Sequence, residues 1–251
     1  MLISHHWLRE LINTKLTPSE LREKLTRVGL AIDAVETHGD DAVLDVEVPS
    51  NRPDCLSHVG IAREVSVIED GELSLPPAVS LSTEGSASSL TAVEIKDEEL
   101  CPRYAARLVR GVKIGPSPDW LVKRLETIGQ RSINNVADIT NYVLHEVGQP
   151  LHAFDFNKLS GKRIVVRRAN AGEKLKTLDG VERELTAEML VIADAENAVA
   201  LAGVMGGEDS EISNATTDVL IESAYFNPDS VRRHHYCFGW RFLVQQSRGI
   251  S

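Results

Sequence analysis

The stretch GQPLHAFDF, residues 148–156, divides the patterning of this chain in two. Before it, INNVADITNYVLHEVG predicts a helix over roughly Asn135 to Val147, closed by Gly148. Gly148 and Pro150 forbid its continuation, since glycine frees the backbone and proline removes an N–H. After it, from Lys162 onward, strand signals dominate: IVVRR, MLVIAD, AVALAGVM and VLIESAYF, with LDG at Leu178 to Gly180 as a hairpin turn. Two helices followed by a β-rich body predict an α+β domain.

Outward from that stretch, the helix before it is preceded by another, predicted with Ser117 as N-cap, Pro118 at its first position, Trp120, Leu121, Leu125 and Ile128 inward, and Gly129 as its stop. This domain opens with strands at Ala92 to Lys96 and, after a turn at CPRY (Cys101 to Tyr104), up to Ile114. Residues 73–91 contain SLSTEGSASS, a Ser/Gly-rich run without apolar periodicity, and are read as a linker. Residues 1–72 read as a smaller α+β module. Trp7, Leu8, Leu11 and Ile12 mark its first helix, and Thr17, Pro18, Ser19 and Glu20 form a capping box for its second. A strand through Leu44, Val46 and Val48 and a helix carrying Leu56, Val59, Val65 and Ile68 complete it.

With 251 residues and 42% apolar content the chain has enough material for packed cores. A net charge of −10 excludes a protein that grips nucleic acid over its whole surface, so any RNA contact is local. The densest basic stretch holds Lys162, Arg163, Arg167, Arg168, Lys174 and Lys176 against Glu173 alone; a solvated strand face and a phosphate-contacting edge both fit. Cys55, Cys101 and Cys237 are odd in number and lack a CxxC pair, which points to neither a disulfide framework nor a zinc site. No leader or membrane-spanning run is visible, and a cytoplasmic protein made as written is expected.

The segment HEVGQPLH, His145 to His152, invites a metal reading that its geometry refuses: ligands on one helix face need i, i+4 spacing, and Gly148 and Pro150 interrupt the helix. His5 and His6 read as solvent-facing. LAGVMGGE lacks dinucleotide-binding spacing, and its glycines read as a bulge, a turn or a close approach to a ligand. Glu222, in the apolar run LIESAYF, is either the outward residue of an alternating strand or a buried acid with a function, and alternation alone does not decide.

Taken in order, INNVADITNYVLHEVG, GQPLHAFDF, LAGVMGGEDSEI and TTDVLIESAYFNP resemble the B3/B4 unit of the beta subunit of bacterial phenylalanyl-tRNA synthetase. The resemblance covers residues 92–233, and residues 1–72 are similar to the first domain of that subunit without its inserted OB module. The expected fold is thus a small α+β module followed by a larger β-rich B3/B4-type domain with two early helices. After Arg233 the pattern is lost, and residues 234–251, HHYCFGWRFLVQQSRGIS, read as a divergent tail that leaves the family's small pocket residues without a match.

The resemblance implies hydrolytic editing of mischarged Tyr-tRNA(Phe), in support of phenylalanyl-tRNA synthesis by an alpha subunit. It implies His152, Asn141 and Glu222 as catalytic residues and Arg131, Thr140, Gly206 and Glu222 as substrate-binding ones, with Glu222 taking the tyrosine hydroxyl. No metal and no cofactor are expected in this chain, ATP and magnesium being used at the alpha subunit of the family's heterotetramer. The expected partners are the tRNA(Phe) acceptor end and that alpha subunit. Two alternatives stand beside this: a catalytically silent module that docks on tRNA or a synthetase, and a free-standing deacylase.

Overall fold

A computed structural model of the chain describes residues 1–75 and 85–237. Residues 76–84 of the expected linker and 238–251 of the expected tail lie outside the described residues. Two compact units result, one from residues 1–75 and 116–150, the other from 85–115 and 151–237.

The first unit contains β1 (Leu2–Ser4), α1 (His5–Leu11), α2 (Pro18–Arg27), β2 (Ala31–His38), β3 (Asp41–Glu47), α3 (His58–Glu69), α4 (Asp119–Thr127) and α5 (Asn135–Val147). Its antiparallel sheet runs β1-β3-β2. The capping box at Thr17 and Glu20 forms, and Trp7, Leu8, Leu21, Leu25, Leu44 and Ile61 bury their side chains in one core. Strand β2, unassigned in the sequence, pairs along all of β3.

Helices α4 and α5 belong to this unit, whereas the sequence boundaries assigned all of 92–233 to one domain. The cause is packing. The Trp7 ring stacks on His58 at 3.9 Å and on Tyr142 of α5 at 4.9 Å, with the Arg124 guanidinium of α4 5.0 Å above it. His58 is fully buried and uses both ring nitrogens: Nε2 accepts from the Ser4 N–H at 3.1 Å, and Nδ1–H donates to the His145 carbonyl at 2.9 Å. Both bonds require a neutral ring, and burial drives its pKa down to about 3.

Two details of α4 differ from expectation. Pro118, not Ser117, is the N-cap, because the Ser117 hydroxyl is committed to the buried Asp138 carboxylate at 2.5 Å. Trp120 is 58% exposed rather than inward, with its edge against Tyr142. His5 is likewise half-buried rather than solvent-facing, its Nε2 bonded to the Leu16 carbonyl at 3.1 Å.

The second unit contains β4 (Ala92–Ile95), β5 (Arg103–Arg110), β6 (His152–Asp155), β7 (Arg163–Arg168), β8 (Lys174–Lys176), β9 (Glu182–Glu184), β10 (Leu190–Ala193), β11 (Ala198–Leu201), β12 (Met205–Gly206), β13 (Asp218–Tyr225) and α6 (Pro228–Cys237). A five-stranded sheet, β12-β11-β10-β7-β4, is antiparallel except for the β4–β7 pair. A three-stranded sheet, β5-β13-β6, is antiparallel throughout. Between the sheets lies one core, to which the first sheet contributes Ile164, Val166, Leu190, Ile192 and Val199 and the second Phe154 and Leu220. Each such side chain contributes about 1.5–3 kcal/mol by leaving water.

In the basic stretch Lys162 donates to the Phe156 and Asn157 carbonyl oxygens, and the other five cations pair with acids. Arg163 pairs with Glu94, Arg168 with Asp97, Lys174 with Glu182 and Lys176 with Glu208, while Arg167 and Glu173 form a two-pronged pair. Among the described residues no helix is long and apolar enough to cross a membrane.

Candidate functional site

Strand β13 is the centre of its sheet, and its alternation decides the role left open for Glu222. Leu220 and Glu222 lie on the face turned to the core, with Leu220 fully buried and Glu222 5% exposed. Glu222 is opposed by Ala106 on β5 and by His152 on β6, while Leu220 is opposed by Leu108 and Phe154. Directly opposed residues share a face, which brings the Glu222 and His152 side chains together despite their distance in sequence. Tyr104, two residues along β5, reaches back and donates its phenol O–H to Glu222 Oε2 at 2.9 Å.

Burial pushes the Glu222 carboxyl up to about 7, with the Tyr104 hydrogen bond pulling the other way. The Tyr104 phenol is raised well above its usual value, first by burial and then by the Glu222 charge. Burial lowers His152 to about 4, so the imidazole is neutral near pH 7. Its ring meets Phe154 edge-on at 4.5 Å, and among the described residues neither of its nitrogens has a hydrogen-bond partner.

Gly206, paired with Ala200 at the end of the other sheet, forms the wall beside the imidazole. A Cβ at Gly206 would stand 2.5 Å from His152 Cε1 and 2.8 Å from Nε2, with Leu178 Cδ1 at 3.0 Å. Here the absence of a side chain is what admits the ring.

His152, Gly206 and Glu222 are therefore gathered in the second unit. Arg131, Thr140 and Asn141 belong to the first: Arg131 is exposed in the α4–α5 connection, and Thr140 and Asn141 are half-buried on α5. That connection is fixed by Asp138, whose carboxylate accepts from Ser117 Oγ, Ser132 Oγ at 2.6 Å and the Ile133 N–H at 2.9 Å. Thr140 Oγ1 donates to the Ala137 carbonyl at 2.7 Å. Sequence reasoning missed both Tyr104 and Asp138. The sequence reads CPRY as a turn, and only the strand register places its tyrosine on the face of Glu222.

Among the described residues one group of possible metal ligands, Asp54, Cys55 and Glu64, lies elsewhere, in the first unit. It surrounds a cation already: Arg52 Nη2 donates to Asp54 at 2.9 Å, Glu64 at 2.6 Å and Cys55 Sγ at 3.1 Å. A groove of about 450 Å³ between the β2–β3 turn and α4, and another of about 380 Å³ beside α6, are lined by neither His152, Gly206 nor Glu222.

Comparison with known proteins places these residues in a family. The model of the B3/4 domain matches residues 100–241, so the match runs on past Arg233. The phenylalanine–tRNA ligase beta subunit of Syntrophotalea carbinolica is 56% identical over 197 residues, covering 77% of this chain and 24% of that protein. The beta subunit of Moorella thermoacetica is 54% identical over 210 residues, covering 83% and 26%. That of Rhodopirellula baltica is 44% identical over 233 residues, covering 93% and 34%. The chain thus spans a quarter to a third of the length of these relatives. It belongs to the B3/4 domain family, in the form carried by phenylalanine–tRNA ligase beta subunits.

Proposed function

We propose that this chain hydrolyses the ester of tyrosine mistakenly attached to tRNA(Phe), as an editing site in a phenylalanine–tRNA ligase. The observation that carries this reading is Glu222: a buried acid with Oε2 on Tyr104 and with Oε1 without a hydrogen-bond partner among the described residues. Selection against tyrosine during synthesis is hard, because a hydrophobic pocket rejects an added hydroxyl by only about a hundredfold. A second site built on an acid reverses the preference. The tyrosine O–H supplies a donor to Oε1, whereas phenylalanine leaves that oxygen unpaired at a cost of ~1–3 kcal/mol.

The reaction is attack of water on the ester carbonyl, with cleavage of the bond to the ribose oxygen, which takes up a proton and leaves as a hydroxyl. His152 is neutral near pH 7, and with its pKa near 4 it is a weak base. It positions water or the substrate amino group, and the neighbouring ribose hydroxyl shares the proton transfer. Asn141, Arg131 and Thr140 are assigned to the substrate on the family resemblance. The partners proposed with this activity are the acceptor end of tRNA(Phe) and an alpha subunit that performs the ATP-dependent synthesis.

The test is deacylation of Tyr-tRNA(Phe) and Phe-tRNA(Phe) by the chain and by Glu222→Ala. A fall in tyrosyl hydrolysis with little change in any phenylalanyl hydrolysis is expected. Equal loss on both substrates would make Glu222 structural. A catalytically silent binding module is the second reading, favoured by the lack, among the described residues, of any hydrogen bond orienting the His152 ring. Binding of Tyr-tRNA(Phe) without turnover would select it.

A further inference from the structure

We propose that Tyr104 is the positioning residue of this site: by holding Glu222 Oε2 it favours the carboxylate form and turns it so that Oε1 meets the hydroxyl of the substrate. The proposal rests on the reading that Glu222 receives that hydroxyl.

Three observations carry it. The register places Tyr104 diagonally across from Glu222, on the same face, where a long side chain spans the distance. The bond, at 2.9 Å, is buried, where a phenol donating to a carboxylate is strengthened by the charge it receives. And the acid has one oxygen occupied and one unpartnered among the described residues, which is the arrangement a hydroxyl sensor needs.

The remaining surroundings leave this task to Tyr104. From the segment leading into β5, Cys101 is the other titratable group close to Glu222, and burial raises its thiol to about 11, so it is uncharged. From β6 the facing group is His152, neutral near pH 7. Asp218, at the far end of β13 on the same face, is opposed by Arg110 and accepts from the Gly111 N–H. The sheet packed over this face contributes Ile164, Val166, Leu190 and Ile192, which are apolar. With burial opposing ionisation of Glu222, the phenol is the hydrogen bond that favours the carboxylate.

The experiment uses the full chain and its Tyr104→Phe variant, with ¹³C-labelled glutamate carboxyls followed by NMR across pH and Glu222→Gln to assign the signal. Loss of a charge-assisted hydrogen bond should raise the Glu222 midpoint by about one to two pH units. In parallel, the ratio of kcat/KM for Tyr-tRNA(Phe) over Phe-tRNA(Phe) is measured at each pH. In the native chain this ratio should rise as pH passes through the Glu222 midpoint, and in Tyr104→Phe the rise should move up by the same interval. A midpoint that does not move in the NMR titration overturns the proposal, and so does equal loss of both activities with the pH profile in place, which is what a merely structural tyrosine would give. If instead the NMR midpoint moves while the ratio ignores both pH and Glu222→Gln, it is the hydroxyl-recognition reading that fails, and the specificity role of Tyr104 falls with it.

Discussion

Replacing Gly206 by alanine tests the wall of the site in a way that isolates one contact. The new methyl would lie 2.5 Å from His152 Cε1 and 2.8 Å from Nε2, an overlap of about 1 Å with a packed ring. Overpacking of this kind costs roughly 1–3 kcal/mol. Against it stands the loss of glycine's unfolded-state freedom, worth about 0.4–1 kcal/mol in favour of alanine, since Gly206 is not in the left-handed region. In the chain as it stands, Gly206→Ala should therefore destabilise by up to about 2.5 kcal/mol. In a His152→Ala background the same change should be neutral or slightly stabilising, because the remaining neighbour, Leu178, is partly exposed and can move. The coupling between the two positions should then be about 1–3 kcal/mol. Urea unfolding of the four variants of the cycle gives the number. Gly207→Ala is the control: its methyl would meet the Val199 carbonyl oxygen at 2.5 Å, a backbone atom in β11 that cannot rotate away, so its cost should be larger and independent of His152. A Gly206→Ala penalty that persists when the imidazole is gone would refute the claim that this glycine exists to admit the ring.

Three further predictions follow from buried groups. Glu222 is raised to about 7 from an unfolded value near 4.5, so the stability it contributes is present below 4.5 and lost as pH rises through 7; Glu222→Gln should gain on the native chain by up to about 3 kcal/mol between pH 5 and 8.5 in urea midpoints, and a flat difference would deny that the acid is buried and ionising. His58 has the opposite sign: lowered to about 3 from 6.5, it destabilises the native state on acidification below 6.5, by about 3 kcal/mol at pH 4.5, so His58→Gln should flatten the acid limb, and an unchanged limb would remove His58 as its cause. Asp138→Ala strips two hydroxyl donors and the Ile133 N–H of their acceptor, which should cost about 2–4 kcal/mol and expose residues 129–135 to protease; resistance equal to the native chain would mean that helix packing alone holds the connection.

What the sequence made legible was local. The capping box at Thr17, the terminations at Gly129 and Gly148 and the hairpin at Leu178 to Gly180 all depend on residues within one turn of each other, and each forms where expected. What it hid was set by partners distant in the chain. The affiliation of α4 and α5 turns on Trp7 stacking with Tyr142 and on His58 bonding to the His145 carbonyl, contacts between segments separated by 87 residues or more. Trp120 is a different case: Leu121 and Leu125 of its own helix take the buried positions, and the indole is left exposed.

The candidate site divides along the same line. The residues proposed for the site, Tyr104 apart, rest on family resemblance, and the register that gives Glu222 its surroundings is not legible in the sequence. An acid in an apolar strand reads identically whether it faces water or the core, and only register separates the two. Once β13 is set between β5 and β6, three consequences arrive together: Glu222 turns inward, His152 becomes its cross-strand neighbour, and Tyr104 comes within hydrogen-bond reach. A one-residue slip of β13 would turn Glu222 to the opposite face and separate it from both. The site is therefore a property of strand pairing, and Leu220, fully buried on the same face as Glu222 and opposed by Leu108 and Phe154, helps hold that register. The hydrophobic residue two positions away thus helps fix the aim of the acid.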